Sequence, residues 1–299
     1  MPAQSAHDGP VRRLAIARRN DFQPRSGTTC HTTSSAIAST RGAMVWLWDI
    51  SRHNWELCSF QNRNSKVAGS ASSAIWRLWR LGASMVSNDR GVVIETRRAS
   101  FDDLGRASEV LGEAFADYPW TRWTVESDDH EARITRLQLL ALENLGLAFG
   151  EVCLSTVDGT IQSVAVWMDS AVAVPSSVFH AMETAVAELE GSRHDASLAA
   201  ARELEGWRPV GRHFILAVLG TAAARQRQGL AGWTLAPGLA AADREGAGSF
   251  LETSSVSNLA FYSTFGFEVI GHRCIGGGGP DVWAMFRKPR PTAGRSPSA

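Results

Sequence analysis

The chain has 299 residues, 44% of them hydrophobic, and its 30 basic and 30 acidic side chains give a formal net charge of zero. That apolar fraction suffices for a globular core, and the length allows one large domain or two small ones. No apolar run approaches the roughly 20 residues that a membrane-spanning helix needs.

Cys30, Cys58, Cys153 and Cys274 show no CxxC spacing, so neither a disulfide framework nor a zinc site is expected. Residues 43–50 are too short and too tryptophan-rich for the apolar core of a secretory signal, and a cytoplasmic setting is expected. Charge is unevenly placed. Residues 1–90 carry 12 basic and 5 acidic side chains, and the remainder carries 18 and 25.

Residues 1–90 are rich in Ser, Thr, Arg and Gly and sustain neither helical nor strand periodicity. They read as an extension without a fold of its own, or as sequence upstream of a true start at Met85. Five of the eleven tryptophans, Trp46, Trp48, Trp55, Trp76 and Trp79, fall there. Aromatics among basic residues are also what a nucleic-acid-binding arm would show, but the missing buriable pattern favours the extension. A transit peptide is a further alternative, since the region is poor in acid.

An ordered domain is expected over residues 91–289, with a short tail at 290–299. Its first strand is Val92–Arg97, rich in β-branched residues. Ser100 and Asp103 form a helix-start signature, and Leu104, Ala107, Val110, Leu111, Ala114 and Phe115 follow at helical spacing. Asp117-Tyr118-Pro119 ends that helix, Trp120 and Trp123 lie on the loop beyond, and a second helix is predicted over Asp128–Ala148.

Asp158-Gly159 between two apolar runs predicts a tight hairpin of Glu151–Thr156 and Ile161–Met168. The long connection from Asp169 to Arg212 holds two helical patterns and is expected to cover the functional side and shape substrate choice. Phe214–Leu219 reads as a buried strand, followed by Arg225-Gln226-Arg227-Gln228-Gly229 and a helix to about Glu245 with Pro237 inside it. Ser249–Thr253, a helix over Ser257–Thr264 closed by Gly266, and a hairpin of Phe267–Arg273 and Asp281–Arg287 complete the domain.

A strand feeding a loop at a helix N-terminus offers free amides and the positive end of the helix dipole, which suits a phosphate group. The Walker pattern and the three-glycine dinucleotide fingerprint are both absent. The spacing Gln226-x-x-Gly229-x-Ala231 after an apolar strand resembles the acyl-CoA pyrophosphate loop of the GCN5-related N-acetyltransferases (GNAT). Leu251-Glu252-Thr253, Asn258 and Phe261-Tyr262-x-x-x-Gly266-Phe267 fall at the distances that family shows. The resemblance covers about Val92 to Arg287. It implies an α/β (α+β) fold: a mixed, mostly antiparallel twisted sheet flanked by helices.

It further implies acetyl-CoA as co-substrate, with no metal, and transfer of the acetyl group to an amine by direct attack. Leu219, Gly220 and Thr221 would hold the acetyl group and pantetheine arm. The amides of Gln226, Arg227, Gln228, Gly229, Leu230 and Ala231 would cradle the pyrophosphate, and Asn258 would contact the cofactor. Tyr262 would protonate the departing thiolate. Without the resemblance, periodicity favours reading Tyr262 as a core residue of an amphipathic helix, with Phe261 and Phe265 as neighbours.

Glu252, a carboxylate in an apolar strand, is the first candidate for the general base, with His213 and Asp169 behind it. A structural ion pair is the other reading of Glu252. Arg227 departs from the family pattern, which has glycine there, so a weaker or shifted loop is expected. The acceptor is expected to be a small-molecule or peptide amine, and the protein a monomer or homodimer. A GNAT-like module that binds acyl-CoA without turnover is the alternative.

Overall fold

The computed structural model describes residues 84–87, backbone only, together with residues 93–204 and 206–291. The expectations for residues 1–83, with their five tryptophans, and for the tail beyond residue 291 lie outside the described residues.

The frame is one eight-stranded sheet in the order β1-β2-β3-β4-β5-β6-β8-β7. Its strands are β1 (Ser84–Ser87), β2 (Val93–Arg98), β3 (Gly150–Val157), β4 (Thr160–Asp169), β5 (His213–Thr221), β6 (Gly248–Thr253), β7 (Glu268–Cys274) and β8 (Asp281–Arg287). The β5–β6 pair is parallel and the other described pairs are antiparallel. The mixed, mostly antiparallel sheet expected from the sequence is therefore present. The structure adds an edge strand at Ser84–Ser87, inside the segment that reads as an extension. Four residues with no alternating apolar pattern gave no signal for it.

Alternation along the strands splits the core. On one face Val152, Leu154, Val164, Val166, Ile215 and Phe250 pack under the helices α1 (Leu104–Phe115), α3 (His130–Ala141) and α4 (Ser176–Glu190). On the other, Cys153, Ala165, Trp167, Phe214, Leu216 and Leu251 pack under α6 (Leu230–Glu245) and α7 (Val256–Thr264). Cys153 is fully buried, and burial pushes its thiol up to about 12, so it serves as a small apolar residue.

Local signals set the joints. Ser100 and Asp103 form the expected capping box, and Arg97 grips Asp103 from β2 at 2.7 Å. Asp158 and Gly159 both have positive φ, 49° and 80°, as a two-residue hairpin turn requires. The long helix expected over Asp128–Ala148 is interrupted by a π turn at Leu142–Gly146.

The long connection between β4 and β5 divides its roles. α4 joins the main core through Phe179, Met182 and Val186. α5 (His194–Glu203) and the residues after it, Leu204 and Trp207, pack on another cluster. There Ala200 and Leu204 pack with Trp120, from α2 (Pro119–Thr124), and with Ile275 and Val282.

Candidate active site

The parallel ladder between β5 and β6 is short. His213 pairs with Gly248, Phe214 with Ser249 and Ile215 with Phe250, and there it stops. Yet β5 runs on to Thr221 and β6 to Thr253. The cause lies on the opposite edge of β5. Val166 of β4 pairs with Val218 and Trp167 with Leu216, leaving Ala217 as an extra residue. Such a bulge bends its strand and increases the local twist. Two neighbouring strands thus diverge into a wedge, with the backbone of Leu216–Thr221 along one wall.

The bulge also re-aims the last residues of β5. Ala217 and Val218 both belong to the α1-side core, so Gly220 returns to that face. A Cβ on Gly220 would lie 2.7 Å from Leu111 Cδ2 and 3.1 Å from Ala114 Cβ. Only glycine lets α1 come this close to the mouth of the wedge. Thr221 is held by Ser163, the two hydroxyls 2.9 Å apart.

The loop from Ala222 to Gly229 turns the chain into α6. Ala223 donates its amide to Glu113 Oε1 of α1 at 2.9 Å, which anchors the loop's entry. The Gln226 amide is already taken by the Ala223 carbonyl at 3.3 Å, so its role in the expected cradle needs revision. The Gln226 side chain instead donates back to the Thr221 carbonyl at 3.2 Å. Among the described residues the amides of Arg227, Gln228, Gly229, Leu230 and Ala231 meet no protein acceptor. Five free donors at the N-terminus of a 16-residue helix are an arrangement that suits an anion.

Gly229 has φ +82°, and the space where a Cβ would sit is open. Arg227 has φ +59°, the backbone state that glycine would adopt without strain. The loop therefore keeps a glycine-like shape with arginine in place. Neither Arg225 nor Arg227 has an ion-pair partner among the described residues, so both charges remain available to an anionic ligand. The residues present fit a pyrophosphate-bearing co-substrate.

Across the wedge stands α7. Asn258 lies one turn before Tyr262 and donates Nδ2 to Thr253 Oγ1 at 3.1 Å. Tyr262 is buried against Phe261 and Phe267, and its hydroxyl makes no hydrogen bond among the described residues. Burial, and after it the nearby Tyr118, push this phenol well above its usual value, so it stays protonated at neutral pH.

Glu252 is half-buried on β6, opposite Ala284 of β8. Alternation puts it on the Phe250 face, whereas Tyr262 belongs to the opposite core. Carboxylate and phenol thus lie on opposite faces of the sheet.

His213 and Asp169 do not belong here. They sit at the closed end of β5 and β4, where Arg212 pairs with Asp169 at 2.7 Å. His213 lies opposite Gly248 and Asp169 opposite Phe214, in the paired part of the sheet rather than along the free edges of the wedge. Their positions in a strand carried no information about which end would open.

Sequence reasoning missed Tyr118. Its hydroxyl accepts the Ser254 amide at 2.6 Å and shares a hydrogen bond with Thr253 Oγ1 at 3.0 Å. These are the only two tyrosines of the chain, and they meet at one cleft. That scarcity was visible in the sequence, but no local pattern joins residues 118 and 253.

No family model matches the sequence. Among solved structures, one titled histone acetyltransferase HPA2 and related acetyltransferase, from Corynebacterium glutamicum, aligns with 66% of this chain and 97% of its own. Its identity is 22% and its TM-score 0.51. The chain has the GNAT fold. A putative GNAT acetyltransferase from Desulfovibrio desulfuricans aligns over 65% of this chain and 98% of its own, at 15% identity and a TM-score of 0.41. The ribosomal-protein-S18-alanine N-acetyltransferase of Escherichia coli aligns over 68% and 99%, at 15% identity and 0.41.

Proposed function

We propose that the protein is an acetyl-CoA-dependent N-acetyltransferase that acetylates the amine of a small molecule or peptide by direct attack on the thioester. The observation that carries this reading is the wedge itself: β5 and β6 stop pairing at Ile215 and Phe250, and β5 runs on to Thr221, after which the chain turns into five free amides at the start of α6.

The pyrophosphate binds the amides of Arg227 to Ala231, with Arg225 and Arg227 adding charge. The pantetheine arm then lies along Leu219–Thr221 and brings the thioester between the strands. Backbone amides on the free edge of β5 polarise the carbonyl oxygen as negative charge develops there. The acceptor enters from the Glu252 side. Glu252 takes the proton the amine must lose, and attack forms the new C–N bond. Collapse breaks the C–S bond, and Tyr262, protonated at neutral pH, gives its proton to the thiolate on the far side. Asn258 orients the cofactor next to Tyr262.

Calorimetric titration with acetyl-CoA, followed by incubation with amine pools and mass detection of acetylated products, tests the proposal. Binding together with an acetyl-CoA-dependent mass gain of 42 Da, about that of one acetyl group, supports it. Absence of binding overturns it. Binding without transfer to any amine favours a module that senses acyl-CoA.

A further inference from the structure

The wedge needs something to hold it open, because β6 loses β5 as a neighbour after Phe250 and continues for three residues paired with β8 alone. Its buried polar groups must find other partners. They find them on the corner between α1 and α2. Ser254 donates its amide to Tyr118 Oη at 2.6 Å, Thr253 Oγ1 lies 3.0 Å from the same oxygen, and Trp120 donates its amide to Ser254 Oγ at 3.1 Å.

The same corner grips β5. Leu111, Ala114 and Phe115, in the last two turns of α1, press on Gly220. Phe115 and Tyr118 are themselves locked together: their rings meet edge to face at 5.1 Å, and the Tyr118 amide donates to the Phe115 carbonyl at 3.1 Å. One end of this short unit therefore rests on β5 and the other on β6. Tyr118 packs from the α1 face, yet its hydroxyl bonds Thr253, which holds Asn258 of α7 on the other face. The phenol thus links the two faces at the end of β6.

We infer that Tyr118 is a positioning residue, a brace that fixes the separation of β5 and β6 and, through Thr253, places Asn258 beside Tyr262. The inference rests on the reading of the wedge as an acetyl-transfer site. It assigns Tyr118 no contact with substrate. Thr253 Oγ1 is the hinge of the link, accepting from Asn258 Nδ2 while bonded to Tyr118. The chain Tyr118–Thr253–Asn258 thus couples the α1–α2 corner to the helix that carries Tyr262.

The test uses Tyr118→Phe, Thr253→Val and the double variant of the full chain. In Tyr118→Phe the Ser254 amide loses its acceptor, and its hydrogen exchange should quicken at least about tenfold without any ligand present. In each single variant kcat per folded molecule should fall about tenfold or more, as expected when reacting groups shift by a fraction of an ångström. Because both changes cut one link, the double variant should be no slower than the slower single.

Unchanged Ser254 exchange in Tyr118→Phe overturns the brace. So do kcat values within about twofold of the parent, or effects of the two changes that multiply. If the parent protein acetylates nothing, the proposed function fails instead, and the exchange measurement alone decides the brace. If Tyr118→Phe does not fold, Thr253→Val keeps the kinetic arm, and a kcat within about twofold of the parent there overturns the link.

Discussion

Gly220 lies under Leu111 with no room to spare, and the 2.7 Å that would separate an added Cβ from Leu111 Cδ2 is shorter than a carbon–carbon contact allows. Phe115 Cε2, at 3.3 Å, closes the other side. The contact joins α1 to the open wall of the wedge, so its integrity bears on both stability and site geometry.

Gly220→Ala should therefore overpack this contact at a cost of about 1–3 kcal/mol. For a domain of this size that lowers Tm by roughly 2–4 °C per kcal/mol. Turnover should fall with it, because α1 must move away from β5. Thermal melting and kcat measured on the same preparation check this. An unchanged Tm would show that Leu111 swings aside freely.

The α6 loop separates two effects. Gly229→Val places a β-branched residue at φ +82° and should weaken acetyl-CoA binding at least tenfold, about 1.4 kcal/mol. Arg227→Gly should do the opposite to stability, relieving roughly 1 kcal/mol of left-handed strain. It should also remove a charge and weaken binding more at low salt than at high salt. Calorimetry at two salt concentrations, with melting curves, distinguishes the pair.

Acid should act through Asp103. The Arg97 guanidinium, aided by Ser100, holds this carboxylate below its usual range although burial opposes it. A folded pKa below the unfolded value of about 3.9 means the contribution is fully present above that pH. It is lost as pH falls from about 4 toward the folded pKa. Asp103→Asn should destabilise the protein fully at pH 7 and by a progressively smaller amount as pH falls from about 4 toward the folded pKa, read as Tm against pH.

The N-terminal boundary can be tested by shortening. The sequence suggests that residues 1–84 are dispensable, but β1 begins at Ser84 and pairs along β2 from Ser84–Thr96 to Ser87–Val93. A chain beginning at Ser84 should keep its Tm and acetyl-CoA affinity. One beginning at Val93 exposes the edge of β2 and should melt lower.

Much of this site was legible because its signals are local. Gln226-x-x-Gly229-x-Ala231 sets a loop and helix start, Asp158-Gly159 sets a hairpin, and Asn258 and Tyr262 share a helix face one turn apart. What escaped the sequence depends on tertiary contact. The bulge at Ala217 looks like any residue of an apolar strand, yet it decides which face Gly220 takes. Tyr118 gains its role from Thr253, 135 positions away. His213 and Asp169 lie at the paired end of their strands, and strand residues do not announce which end of a strand pair opens.

The most direct measurement compares Tyr262→Phe with the parent, following acetyl-CoA consumption with an accepted amine and acetyl-CoA affinity by calorimetry. The change removes a hydroxyl and keeps the ring against Phe261 and Phe267. Since burial holds this phenol protonated well beyond neutral pH, the parent should lose no rate to its ionisation between about pH 7 and 9. Turnover in the variant should fall by about ten- to a thousandfold with affinity nearly unchanged, as expected of a group that acts in the transition state. Equal turnover in the two proteins, at matched folding, would contradict the account and return Tyr262 to the core.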